Sequence, residues 1–304
     1  MATALDRAQE HLFQLQVLES FIARREIEGG TAEDDEIIGA VGDELLSHQS
    51  PDGSWGGSLA VTAEALLLLD DLHVPSRFAT PVARAEQWLR KRRRATGRYT
   101  EGCDPDRHKA ALCEHFAGGF FSPGPPSKDF SNTRLASGLV FPTDPDARLG
   151  LSSLALHAVR RWSRCTTDDL SHLEVLARIA NSALRTQGSA WRMPTLIMVL
   201  SALTSAPRRP EFIIVLHGAL TRLAGMQRAD GSWPDADAFL VAEVFLLAVQ
   251  RGYGSPVFDA AIARTAEMLA LVQQEDGGWG AAVEPPRLLS GWRTLRYAAQ
   301  MVKA

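Results

Sequence analysis

The chain has 304 residues, a formal net charge of −4, and apolar and charged fractions of 45% and 22%, a globular balance. That charge offers no basic footprint for nucleic acid, and no uninterrupted apolar run approaches the roughly 20 residues that span a bilayer. The three cysteines, Cys103, Cys113 and Cys165, make no disulfide framework, so a reducing, cytoplasmic setting is expected.

From the N-terminus, residues 7–26 read as a first helix with Leu12, Leu15, Leu18, Phe21 and Ile22 on one face, ended by Gly29-Gly30. Acidic residues run through Met1–Arg25, unlike a secretion signal. Thr31-Ala-Glu-Asp34 is a capping box for the next helix, toward His48. Leu59–Leu69 is apolar on nearly every face, the mark of a buried helix. Amphipathic segments then recur at 81–93, 170–186, 211–226 and 257–273, and apolar ones at 149–159, 194–204, 239–249 and 288–301. No sustained period-two pattern signals strands. The alternation predicts one all-α domain over 1–304, an α/α barrel of about six helical hairpins with the apolar helix of each pair inside. Residues 97–145 break the rhythm with many Gly, Pro and Phe residues, and read as an ordered lid or cavity wall.

One phrase occurs three times: Gln49-Ser-Pro-Asp52-Gly53-Ser54-Trp55, Gln227-Arg-Ala-Asp230-Gly231-Ser232-Trp233 and Gln273-Gln-Glu-Asp276-Gly277-Gly278-Trp279. Asp-Gly marks a turn, because Gly accepts positive φ and Asp bonds its own following backbone. Trp233 and Trp279 are 46 positions apart, and degraded copies at Gly97-Arg98-Tyr99 and Gln187–Trp191, with a slot near Phe141, complete six. A fixed period of that size signals a repeat architecture.

This repeated Gln-x-x-Asp-Gly-[Ser/Gly]-Trp phrase resembles the turn motif of squalene–hopene cyclases and class II diterpene cyclases, and is similar to that of protein prenyltransferase β subunits. The resemblance covers about residues 35–300 and implies an α/α barrel. It implies less about activity, because one fold hosts several chemistries. The cyclases protonate an alkene or epoxide with the middle carboxylate of Asp-x-Asp-Asp at the start of an inner helix. Here Asp144 and Asp146 match the first two aspartates, and Ala147 stands in place of the third. Gly118-Gly119-Phe120-Phe121-Ser122 is comparable to the Gly-aromatic stretch ahead of the acid. The resemblance thus implies a terpene cyclase, an isomerase or lyase of isoprenoid biosynthesis, with a linear prenyl substrate and Asp146 as acid. Family members usually add a second helical domain, which leaves a site within one barrel, a homo-oligomer or a missing partner domain as alternatives.

The residues carry their own readings. Asp146, Gly150, Ser153 and His157 recur at helical spacing as one polar stripe on an apolar helix, where His157 or Ser153 would orient the acid. An acid in an apolar cavity holds its proton more tightly, as proton delivery requires. Equally, Thr143-x-x-Asp146 is a capping box and Pro145 suits a first helical turn. Glu64 and Glu243, inside apolar runs, either face a cavity or pair with Arg293 or Arg296. Phe120, Phe121, Phe141, Trp191, Phe239, Trp292 and Tyr297 are candidate cavity aromatics that would shield a cation, or ordinary core. No metal or other cofactor is expected, except Mg²⁺ if the substrate carries a diphosphate, with Asp235 and Asp237 as ligands or simply a cap. Cys103, His108, Cys113 and His115 lack paired zinc spacing, and Lys128-Asp129-Phe130-Ser131 lacks the cysteine of the prenyltransferase zinc site. The run Arg90–Arg94 reads as a solvated helix end, or as a contact for phosphates or a membrane surface. Other outcomes are a tailoring cyclase or isomerase for a different apolar natural product, and a non-catalytic isoprenoid-binding or partner-binding subunit.

Overall fold

Helix-forming segments with apolar faces and explicit caps set the architecture, and the fold class is all-α. The computed structural model describes residues 2–15, 17–29, 31–74, 76–93, 121–124, 127–185, 193–234, 236–280 and 285–303. Among them are twelve α-helices: α1 (Ala2–Gln14), α2 (Leu18–Glu28), α3 (Ala32–Ser47), α4 (Leu59–Asp71), α5 (Ala79–Lys91), α6 (Asp144–Trp162), α7 (Thr167–Arg185), α8 (Met193–Thr204), α9 (Pro210–Gly225), α10 (Ala238–Gln250), α11 (Pro256–Val272) and α12 (Pro285–Lys303). None is long and apolar enough to cross a membrane.

The residues group into two compact units, 39–219 and the combination of 1–38 with 220–304. In the first, the apolar helix α6 packs between α4 and α8, while amphipathic α5 lies on α4 and α7 on α8. Every residue of α6 from Asp146 to Val159 is buried. Ser58 caps α4 and Thr143 caps α6, each hydroxyl accepting an orphan amide of the first turn. In the second unit, α12 packs on α1, α2, α10 and α11. Ser255 starts α11 with proline in the first turn, and Asp237 caps α10.

The three repeated turns share one hydrogen-bond scheme. Gln49 Nε2 donates to the carbonyls of Gly53 and of Pro81 in α5, both at 3.0 Å. Gln227 does the same to Gly231 and Ala261 of α11, and Gln273 to Gly277 and Ala4 of α1. Three residues past each helix carbonyl, an arginine returns a bond to the glutamine Oε1, from Arg84, Arg264 and Arg7. The carbonyl of that same arginine lies against the motif glycine. A Cβ on Gly53, Gly231 or Gly277 would come within 2.5, 2.4 or 2.1 Å of it, and each glycine has positive φ. The motif tryptophans each donate an indole N–H to a carbonyl ten residues back, Leu45, Leu223 or Leu269. Each phrase is thus a staple from a turn to an amphipathic helix.

Four expectations change. The first helix is two, because the Val17 amide donates to Ser20 Oγ, which caps a fresh start at Leu18. The slot near Phe141 holds a β-hairpin, β1 (Thr133–Arg134) antiparallel to β2 (Val140–Phe141), whose strands are too short to show a period. The basic run is not a solvated end: Arg90 and Arg93 turn to the fully buried Asp169, and Arg92 stacks on Trp88 at 4.3 Å. Glu64 bonds backbone, not an arginine, as described below. The degraded copies at 97–99 and 187–191 lie outside the described residues.

Candidate active site

The site is built from the start of α6. Thr143, in extended backbone, accepts the Asp146 amide at 3.3 Å and donates its hydroxyl to Asp146 Oδ2 at 2.6 Å. From α8, the hydroxyl of the fully buried Thr195 lies 3.2 Å from Asp146 Oδ1. The carboxyl is therefore buried between two hydroxyls, one on each oxygen. A hydroxyl donates to a carboxylate or accepts from a carboxylic acid, so this setting supports either form. Thr143 is a side-chain N-cap, but the expected capping box is only half formed, since Asp146 Oδ2 accepts the Thr143 hydroxyl, and Oδ1 is not used by the cap.

Along the same face of α6, Gly150 makes room for Phe141, since a Cβ there would lie 2.2 Å from the ring. Phe141 is fully buried. Ser153 is also fully buried, and its hydroxyl has no hydrogen-bond partner among the described residues. His157 completes the buried stripe.

Asp144 has a different part. Its Oδ1 accepts the Phe130 amide at 2.9 Å and its Oδ2 accepts Arg148 Nε at 2.7 Å. Arg148, buried, also donates to the Lys128 carbonyl and lies 5.0 Å over the Phe130 ring. Asp144 is thus a clamp on the segment leading into the hairpin, rather than a partner of the Asp146 carboxyl.

Glu64 on α4 accepts the Ala136 amide at 2.6 Å, at the hairpin tip. Burial raises its carboxyl above the usual range, with the Ala136 amide offsetting part of that. Phe121 is not on the Asp146 face: its amide donates to Ser152 and its ring packs 5.7 Å from His172 of α7. His172 is wholly buried, and desolvation, helped by Arg93, lowers its pKa to about 3.

The remaining candidates lie in the other unit. Glu243 Oε1 meets Arg293 at 3.3 Å, while its buried Oε2 has no hydrogen-bond partner among the described residues. Arg293 and Arg296 also bind Glu26. Trp292 is fully buried beneath Arg296, its indole N–H without a hydrogen-bond partner among the described residues. Phe239 packs edge-on against Trp279 at 5.5 Å. Tyr297 is committed to the amphipathic side, donating to Asp259 of α11 at 2.8 Å; burial and that carboxylate push its pKa up to about 12.

Phe120, Trp191, Asp235 and the Cys103, His108, Cys113 and His115 cluster lie outside the described residues. Asp237 caps α10 and pairs with Arg287, and among the described residues no three acidic, His or Cys side chains gather as a metal site. Sequence reasoning missed Arg148, whose spacing from Asp144 is a readable i,i+4 pair. It also missed Thr195, for which no local signal exists.

No model of a known family matches the sequence, and no curated protein is detectably similar to it. Solved structures do match. The type II terpene cyclase MstE from Scytonema, in complex with the product merosterolic acid A, aligns with TM-score 0.58 and 13% identity, over 99% of this chain and 97% of that one. The same enzyme with its substrate, geranylgeranyl dihydroxybenzoate, aligns at 0.57. The fold is a terpene cyclase fold. A protein from Actinoplanes shares this terpene cyclase fold at TM-score 0.52 and 16% identity, over 98% of this chain and 99% of that one.

Proposed function

We propose that the chain is a cytoplasmic, class II-like terpene cyclase, which folds a linear isoprenoid and starts its cyclisation by protonation from Asp146. The observation that carries this reading is the Asp146 carboxyl, buried at the head of an apolar helix with Thr143 on one oxygen and Thr195 on the other. In this reading Oδ1 holds the proton, since Oδ2 is taken by the short 2.6 Å bond from the Thr143 cap while Oδ1 has the longer 3.2 Å contact with Thr195. The terminal alkene takes that proton, its electron pair forms the new C–H bond, and a tertiary cation remains. The next alkene attacks the cation and closes a ring. Loss of a proton from the final cation forms an alkene again, so each ring closed replaces one C=C and the product is an isomer of the substrate. Excluding water matters as much as the acid, because water quenches the cation.

The alignment with MstE supports this reading, since it covers 97% of the chain of a type II terpene cyclase described with both substrate and product. Its isoprenoid-aryl substrate extends the candidate substrates beyond prenyl diphosphates. Substitution of Ala147 for a third aspartate leaves Thr195 as the group next to the acid in this reading.

The test is a product assay by mass spectrometry on prenyl diphosphates, prenylated dihydroxybenzoates and squalene-type substrates, with and without Mg²⁺. A cyclic product of unchanged mass that disappears in Asp146→Asn supports the reading. Released diphosphate would move the chemistry to ionisation, and no turnover by folded protein would end it.

A further inference from the structure

The hairpin 133–141 lies across the helices that carry the proposed acid. At one end, β2 packs against both α6 and α8, with Phe141 seated on Gly150, one turn beyond Asp146. At the other end, the Ala136 amide reaches Glu64 of α4. The hairpin therefore runs from α8, over the polar face of α6, to α4. Its faces alternate: Leu135, Leu139 and Phe141 are buried, while Arg134, Ala136 and Val140 are exposed. Its tip is a tight turn, with the Leu135 amide bonded to the Leu139 carbonyl and Gly138 at φ +78°. Its root is fixed by Asp144 and Arg148 through Phe130. A short, self-bonded hairpin held at both ends moves as a unit, so either anchor positions the whole. Ser153, the next residue of the stripe after Gly150, is fully buried and its hydroxyl has no hydrogen-bond partner among the described residues, as expected where a ligand group is to be received.

We propose that this hairpin is the end wall of the substrate site, and that Glu64, by holding its tip, is the positioning residue that sets how long an isoprenoid chain the site accepts. The proposal rests on the cyclase reading of Asp146 and adds chain-length selection to it. The wall acts by position: Phe141 limits depth beside the acid, and the Glu64 bond keeps Phe141 pressed on Gly150. Glu64 touches no reacting atom.

The experiment measures binding, so that it does not depend on turnover. Farnesyl and geranylgeranyl compounds with a saturated terminal unit, which cannot be protonated, are titrated against wild type, Glu64→Ala, Glu64→Gln and Phe141→Leu, and hydrogen exchange is followed at amides 135–141. Release of the tip in Glu64→Ala is expected to speed that exchange and to move the affinity ratio toward the longer chain by at least about tenfold, the low end of what one methylene is worth in an apolar pocket. Glu64→Gln, whose amide oxygen still accepts from Ala136, is expected to stay within about threefold of wild type. Phe141→Leu shortens the wall from its other end and is expected to shift the ratio the same way, which keeps the test intact if Glu64→Ala does not fold. Faster exchange with an unchanged ratio would overturn the wall, and unchanged exchange would overturn the latch. Failure of wild type to bind either probe would instead refute the isoprenoid reading, and the wall with it.

Discussion

Arg7 and Gln273 stand 266 positions apart in the chain and meet across a 3.0 Å hydrogen bond from guanidinium to amide oxygen. The amide nitrogen of Gln273 completes the contact on the Ala4 carbonyl, so the third turn is fastened to the first helix. Gly277 makes this approach feasible, with φ +92° and the Arg7 carbonyl where a Cβ would sit. Gln273→Ala is expected to cost about 2 kcal/mol, from several hydrogen bonds each worth about 1. Gly277→Ala is expected to cost more, because a 2.1 Å contact to backbone adds to the strained φ. Gly280→Ala is the control: its φ is +95° but its nearest neighbour is a side-chain amide at 3.5 Å, leaving about 1 kcal/mol of backbone strain. Urea unfolding of the three variants checks the order, and equal costs for Gly277→Ala and Gly280→Ala would contradict the staple.

Asp146 separates a cap from an acid by one substitution. Asparagine retains an oxygen for the Thr143 hydroxyl, so Asp146→Asn is expected to unfold within about 1 kcal/mol of wild type. It carries no transferable acid proton, and turnover is expected to fall by at least about 100-fold. The measurement pairs initial rates with urea unfolding. Loss of stability in proportion to loss of rate would mark Asp146 as a cap alone.

The repeated turns could be read from the sequence because each packs its whole signal into seven consecutive residues. Their arginine partners could not, since Arg84, Arg264 and Arg7 belong to helices far along the chain and look like ordinary charges on amphipathic faces. The same reason hides Thr195: its hydroxyl meets Asp146 only through the packing of α8 on α6. The hairpin was invisible to a search for alternation, as each strand has two residues. The arginine run misled for a physical reason too. A charge cluster at a helix end is usually solvated, but here Asp169 is buried within reach and draws Arg90 and Arg93 inward.

That buried cluster predicts acid sensitivity from two groups. Burial works against the charge on Asp169, yet the Thr166 amide and the Arg93 and Arg90 guanidiniums outweigh it and hold the carboxyl below the usual range. Its folded-state pKa is depressed, so its stabilisation is present above the unfolded value near about 3.9 and is lost as pH falls through the folded one. Asp169→Asn is expected to cost about 3 kcal/mol at neutral pH, as removal of one partner of a buried pair does, and less toward pH ~3. His172 acts earlier. Its pKa is lowered to about 3, so between its unfolded value, about 6.5, and that point the unfolded chain binds the extra proton and stability falls as pH falls. His172→Gln is expected to flatten that slope in urea midpoints from pH 7 to 4. An unaltered slope would place the acid sensitivity elsewhere.

Glu64 gives the opposite sign. Burial raises its carboxyl pKa, and the Ala136 amide only partly offsets this. Between the unfolded value near about 4.3 and the raised folded value, the native state binds the extra proton, so stability falls as pH rises through that window. Above the window the cost of the buried charge is constant. Glu64→Gln removes that cost while retaining an oxygen for the Ala136 amide, and is therefore expected to raise the urea midpoint at pH 7. The gain should fade toward pH 4, where wild-type Glu64 is itself protonated. An equal gain at both pH values would mean that packing, not charge, distinguishes the two side chains. A loss at pH 7 would mean that the charged bond to Ala136 outweighs the burial of the carboxylate, and that the hairpin latch depends on ionisation.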